Sequence, residues 1–328
     1  MRFGPVSLEE SEGQILAQNV SDENGRRILR KGRPLDPPAL KLLKELGYET
    51  VFVAHLDEGD THENEAAERI ARITAGKGVE RSAAHMGRVN VTATQLGVVR
   101  VDVESLLHLN ETGGVTVATL PTHALVRPGE RIATVKVIPY AIPQESVESA
   151  EALSVSEGIV SVRAIDRQAV AIVLIGGSGA WTVLGEGLGD AIRERIEALG
   201  CFISEVTFTH TDEESLSDAL QRQVTKEVGM IVVAGETAIM DLNDVIPRGL
   251  RLAGGRIEQL GLPMDPGQLL LLGYLHETPV VGAPGCVRGT SPDGFDSVVP
   301  RLLAGERLSG IDLRELGHGG LLSDPRRG

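Results

Sequence analysis

From residue 170 onward the sequence repeats one pattern, which constrains the fold more than any other feature. An uncharged run of strand length is followed by a polar turn and then by apolar residues at helical spacing. The first run, 170–175, ends in Gly176, Gly177, Ser178 and Gly179; Ile192, Ile196 and Leu199 then share one helical face, closed by Gly200. FISEVTF reads as a second strand. The helix after it carries Leu216, Leu220, Val224 and Val228, with Thr211 and Glu214 as its capping box. A third run, Met230, Ile231, Val232, Val233 and Ala234, has no charge and reads as a strand buried on both faces. A two-stranded excursion around 263–267, a strand at 280–283 and a closing helix complete the set. Such alternation specifies a mainly parallel sheet with right-handed crossovers, so residues 166–328 are expected to form a three-layer α/β/α domain.

The chain of 328 residues is too long for one ordinary core, and its first half reads differently. Pro37 and Pro38 can start a helix whose apolar face is Leu40, Leu43 and Leu46, with Gly47 as its stop. Val51, Phe52 and Val53 form a strand, and Glu63 and Glu65 sit at the positive end of the next helix dipole. Over about 82–140 the pattern becomes short strands and turns: Val98, Val99, Val101 and Val103, then Ile132, Val135, Val137 and Ile138. Residues 1–165 are thus expected to be α+β with a small β-rich subdomain. The polar stretch 144–168 reads as a linker, with the boundary near Asp166.

Open α/β sheets bind ligands at the carboxyl ends of their strands. Four turns of this chain meet that description: 176–181, 210–212, 235–244 and 284–289. The third is the most polar, since Gly235, Glu236 and Thr237 are followed by Asp241 and Asp244 within one short loop. Two carboxylates so close repel unless a cation, a backbone amide or a protonated ligand group compensates them. Cys286, in the glycine-rich fourth turn, reads as a packing residue more readily than as a nucleophile, because no histidine is near it in sequence. Neither GxGxxG nor GxxxxGK is present, and Cys201 and Cys286 form no CxxC, so dinucleotide, P-loop and zinc motifs are excluded. A formal charge of −14 argues against nucleic acid as a partner. With no apolar run near the roughly 20 residues that span a bilayer, and no apolar stretch in MRFGPVSLEESEG, the expectation is a cytoplasmic protein without a membrane partner.

GETAIMDLNDVIP resembles the signature loop of the molybdopterin-binding domain of molybdenum cofactor biosynthesis proteins, Thr-Gly-Gly-Thr/Ser followed by an aspartate. DVIP at 244–247 is similar to that family's Asp-Val-Thr-Pro, and Asp241 matches the acidic position of its molybdenum-insertase version. DPGQLLLLG at 265–273 and GAPGCVRG at 282–289 resemble two further insertase loops, and Asp212 falls where the family has an acid after its second strand. The likeness covers residues 168–322, with a weaker match over GPVSLEESEGQILAQNV and KGRPLDPPALKLLKELGYETVFV. Glu236 replaces the second glycine of the signature pair, and PGCV replaces the Asn-Pro of the last loop.

The resemblance implies molybdopterin, or its nucleotide form, as ligand. Gly176, Gly177, Ser178, Gly235, Glu236, Thr237, Pro284, Gly285 and Cys286 would bind it. Asp212, Asp241 and Asp244 would carry any chemistry, Asp241 and Asp244 holding Mg²⁺. It further implies a homo-oligomer serving other cofactor-biosynthesis proteins or molybdoenzymes. Three activities remain open at this point: a molybdopterin molybdenumtransferase-like transferase, a non-catalytic carrier, and a nucleotide-processing hydrolase on the same fold.

Overall fold

The computed structural model describes residues 1–153 and 156–322. The chain forms two compact units, Met1–Arg163 and Ala164–Gly328.

The N-terminal unit is built from small antiparallel sheets. Arg2–Ser7, Thr50–His55 and Ile15–Leu16 form one sheet, whose apolar side packs with Leu35 and with Ala39 and Leu43 of the helix Pro37–Glu45. Asp36 caps that helix through the Ala39 amide at 2.9 Å, and Pro37 supplies its preset φ. A second core lies under the strands Val115–Thr119, Arg131–Val137, Arg88–Ala93 and Val79–Arg81, and is closed by Ala66, Ala67, Ile70 and Ala71 of the helix Glu63–Thr74. Strand alternation is plain here: Val89, Val91 and Ala93 are buried while Arg88 faces out and Asn90 and Thr92 are half-buried.

Two expectations for this unit need correction. Val103 does not extend a strand; it opens the helix Val103–Asn110. Asp102 decides this, because its carboxylate accepts the Ser105 amide at 3.1 Å and the Ser105 hydroxyl at 2.7 Å, and a good cap outweighs one β-branched residue. The stretch 144–168 is not a bare linker either. It contains the helix Gln144–Glu151 and the strand Val160–Ala164, and Val147, Ala150, Ile159, Val160 and Val162 are buried in the unit's core. Residues 154 and 155 of that stretch lie outside the described residues.

The C-terminal unit holds one six-stranded sheet, ordered Phe202–Thr209, Ala169–Ile175, Met230–Gly235, Thr278–Gly282, Leu271–Leu275, Arg256–Leu260. The first four run parallel; Leu271–Leu275 is antiparallel to both of its neighbours. Ala171, Val173 and Ile175 face a core shared with Leu216 and Leu220 of the helix Glu213–Thr225 and with Ile246 and Leu250 of the helix Val245–Leu252. Val170, Ile172 and Leu174, on the opposite face, are equally buried, and Leu174 abuts Gly189 just before the helix Asp190–Ala198. The mixed α/β class and the run buried on both faces follow directly.

One helix start differs from expectation. Asp212, not Thr211, caps Glu213–Thr225, and the helix ends before Val228. Both residue types cap well, so only the backbone decides which is used; Asp212 is extended at φ −139°.

Candidate functional site

The sheet order places the strand Ala169–Ile175 between Phe202–Thr209 and Met230–Gly235, so consecutive connections leave it in opposite directions. The crevice beyond its end and that of Met230–Gly235 is the topological switch point, where open α/β sheets accept ligands. A cavity of about 100 Å³ lies there, lined by Ile175, Thr211, Gly235, Glu236, Thr237, Asp244 and their neighbours.

Glu236 crosses the crevice. Its Oε2 accepts the Gly177 amide at 3.1 Å, tying the end of one central strand to the end of the other. Gly176 leaves the room for this, since a β-carbon there would come within 3.1 Å of the Glu236 side chain. The carboxylate at the position where the resemblance has glycine therefore occupies the Gly177 amide. Trp181 holds the same loop from the other side: its indole N–H donates to the Gly176 carbonyl at 3.1 Å, and its ring packs on Phe208 and His210 with centroids 5.6 and 5.5 Å away. Trp181 is absent from the sequence-derived candidates, although the position of the chain's single tryptophan two residues after GGSG was a usable signal.

The three aspartates have local partners. Asp244 Oδ2 accepts the amides of Met240 at 2.6 Å and Asp241 at 2.9 Å, and these hydrogen bonds hold its pKa below the ordinary carboxylate value. Asp241 Oδ1 accepts both the backbone and the side-chain N–H of Asn243, each at 2.8 Å. Asp212 accepts the Ser215 amide at 2.7 Å and its hydroxyl at 2.9 Å, which lowers its pKa too. The repulsion expected between Asp241 and Asp244 is thus relieved by backbone amides. Among the described residues no group of three or more His, Cys, Asp or Glu side chains is gathered to hold a metal ion. One oxygen of each, Asp241 Oδ1 and Asp244 Oδ2, is taken up by these amide donors. Of the three, Asp244 alone lines the cavity.

Ser178 is exposed beside Gly177, and Thr237 is an exposed part of the cavity wall. Pro284, Gly285 and Cys286 are not among the cavity's lining residues. The fourth loop is drawn instead toward the helix Asp190–Ala198, where Arg195 donates to the Gly289 carbonyl at 3.0 Å and approaches Asp296 at 3.2 Å. Burial and the Asp293 carboxylate push the Cys286 thiol up to about 11, so it stays protonated at neutral pH and acts as a packing residue. Asp293 itself caps the helix Gly294–Leu303 through the Phe295 amide at 2.7 Å.

No protein-family model matches the chain, and no curated protein does. Among solved structures it is similar to a molybdopterin biosynthesis MoeA protein from Pyrococcus horikosii, at 14% identity over 93% of this chain and 75% of that one, with a TM-score of 0.32. A molybdenum cofactor biosynthesis protein B shares 18% identity over 47% of this chain and 94% of its own, at a TM-score of 0.30. The molybdopterin biosynthesis Mog protein from Mycobacterium ulcerans shares 21% over 42% and 92%, at 0.29. Likeness this distant assigns neither a site nor an activity, so the functional reading rests on the chain's own residues. Among the described residues no helix is long and apolar enough to cross a membrane.

Proposed function

We propose that the chain binds molybdopterin, or its nucleotide form, at the crevice between residues 176–178 and 235–244, and so serves molybdenum cofactor biosynthesis. One observation carries the reading: the signature-like loop and Thr211 border one cavity at the switch point of a mainly parallel sheet, and Glu236 of that loop reaches the Gly177 amide of the glycine turn. The Gly177 amide and the Thr237 hydroxyl are the donors for a phosphate. Asp244 has its Oδ2 engaged by amides and Oδ1 without a partner among the described residues, so it can accept an N–H from the pterin edge. At about 100 Å³ the cavity is below the ~300 Å³ of ordinary small-molecule sites, so it suits a head group. The exposed side chains of Met240 and Leu242, on the same loop, would support the ring system.

Within this reading, holding the ligand is favoured over transforming it. A transferase needs groups free to move protons or hold a metal, and both oxygens of Asp212 and one oxygen each of Asp241 and Asp244 are taken by donors within their own turns. Phosphate discrimination would then rest on Glu236, which an anionic ligand must displace.

Anaerobic titration of the purified chain with molybdopterin, followed by pterin fluorescence, tests the proposal. Saturable binding is expected, weakened about tenfold or more by Asp244→Asn, in line with the loss of one charge-assisted hydrogen bond. Absence of binding, or equal affinity in the variant, would remove this crevice from the function.

A further inference from the structure

The N-terminal unit contains a larger cleft, of about 710 Å³, that the preceding reading does not use. Its volume is within the range of about 300–1,000 Å³ typical of small-molecule sites. The base of the cleft is settled: Glu63 is buried at 7% exposure, and Lys136 beside it reaches the Glu63 carboxylate at 3.5 Å while donating to the Met86 and Val137 carbonyls. Tyr140 donates to the Ala17 carbonyl at 3.1 Å and joins the segment around residue 17 to this base.

The rim is unsettled in two ways. Lys31 and Arg88 line the cleft with exposed side chains that have no ion-pair or hydrogen-bond partner among the described residues, although the chain carries a formal charge of −14. Glu63 is the only carboxylate in the lining, and Lys136 already neutralises it. Between the cations stand large apolar side chains held in water: Phe3 at 57%, Met86 at 49% and Ile138 at 60% exposure. Met86 is also held against its own backbone preference. His85 and Arg88 exchange both backbone hydrogen bonds, at 3.0 and 3.1 Å, across the two-residue turn Met86–Gly87. Met86 has φ +50° and Gly87 φ +66°, the type I′ geometry in which Asn, Asp or Gly is the favoured first residue. The turn is fixed in place by Asn64, whose Oδ1 accepts the Gly87 amide at 2.8 Å, and by the bond from Lys136. A strained, exposed methionine kept at a cleft mouth beside unpaired cations costs stability and contributes nothing to the core.

We infer that this cleft binds an amphipathic organic anion, a small molecule with an apolar body and a carboxylate or phosphate head. Lys31 and Arg88 pair with the head, and Phe3, Met86 and Ile138 cover the body. This site lies wholly within the N-terminal unit, and its test is independent of the crevice in the C-terminal unit.

The full-length chain is titrated with anilinonaphthalene sulfonate, an aromatic anion whose fluorescence reports an apolar surrounding. One equivalent is expected to bind. The doubly charge-reversed Lys31→Glu, Arg88→Glu chain should bind at least about tenfold more weakly with its melting temperature unchanged, since two charge-assisted contacts are lost from exposed positions. Met86→Asn should also weaken binding while raising the melting temperature, because asparagine relieves the turn; a residue with a merely structural role would not separate the two readouts. Displacement by decanoate assigns a carboxylate head and displacement by decyl phosphate a phosphate head, whereas dodecyltrimethylammonium should displace nothing. The inference is overturned by equal probe affinity in both variants, by displacement with the cation, or by no displacement with either anion.

Discussion

At the sheet edge of the C-terminal unit, Asp212, Asp241 and Asp244 each bond to groups two to four residues away. In the N-terminal cleft, the side chains of Lys31 and Arg88 have no ion-pair or hydrogen-bond partner among the described residues. The first region is dense in carboxylates because Asp is the residue that caps helices and closes turns, so much of its polarity is local folding chemistry. In the second, cations and exposed apolar groups have no local folding task, which is the better physical sign of a ligand. Glu236 belongs with neither set, since its partner Gly177 is 59 residues away and the bond reports a tertiary decision.

The largest effect that would sharpen this contrast is expected from Glu236→Gly. The substitution frees the Gly177 amide and removes a carboxylate from the path of an anionic ligand, so molybdopterin affinity should rise about tenfold or more. Titration beside the parent chain measures it; equal affinities would show that the Glu236 bond does not compete with the ligand.

Stability separates the two regions next. Asp244→Ala removes the acceptor of two amides and should lower the melting temperature clearly, with Asp244→Asn, which keeps one oxygen, between it and the parent. Lys31→Ala and Arg88→Ala should each stay within about 0.5 kcal/mol of the parent, as exposed unpaired residues do. The same asymmetry has a pH signature. Asp212 and Asp244 are held below their ordinary pKa, so their stabilisation is present above the unfolded value and is lost as pH falls through the folded one. Acid unfolding of Asp244→Asn should therefore be less steep than that of the parent below about pH 4. Identical acid limbs would mean that the amide bonds do not persist in solution.

The smallest effect is expected at Cys286. Cys286→Ser keeps a hydroxyl donor facing Asp293 and should leave ligand affinity and melting temperature nearly unchanged. Loss of ligand binding at unchanged stability would return the fourth loop to the site.

Much of the C-terminal fold was legible because its signals are local. An uncharged run such as 230–234 can satisfy its side chains only inside a sheet covered on both faces, and the turns after 175 and 235 announce strand ends. Local signals failed where two neighbours offered the same chemistry, as Thr211 and Asp212 did, or where a cap overruled a β-branched run, as Asp102 did before Val103. The polar stretch 144–168 misled because ten of its 23 described residues face water while Val147, Ala150 and Val160 carry the packing.

The sequence by itself determined the alternation of strands and helices, the glycine-bearing turns at the strand ends and the crowding of acids in the loop 235–244, because each depends on residues within a few positions of one another. Only the tertiary structure decided the strand order that makes 176 and 235 flank one crevice, the reach of Glu236 to the Gly177 amide, and the withdrawal of the Pro284–Cys286 loop toward Arg195. It also decided that Phe3, Lys31, Met86, Arg88 and Ile138 line one cleft. These depend on which segments pair and which partners remain after pairing, and no local pattern of side chains encodes a charge that the rest of the fold leaves uncompensated.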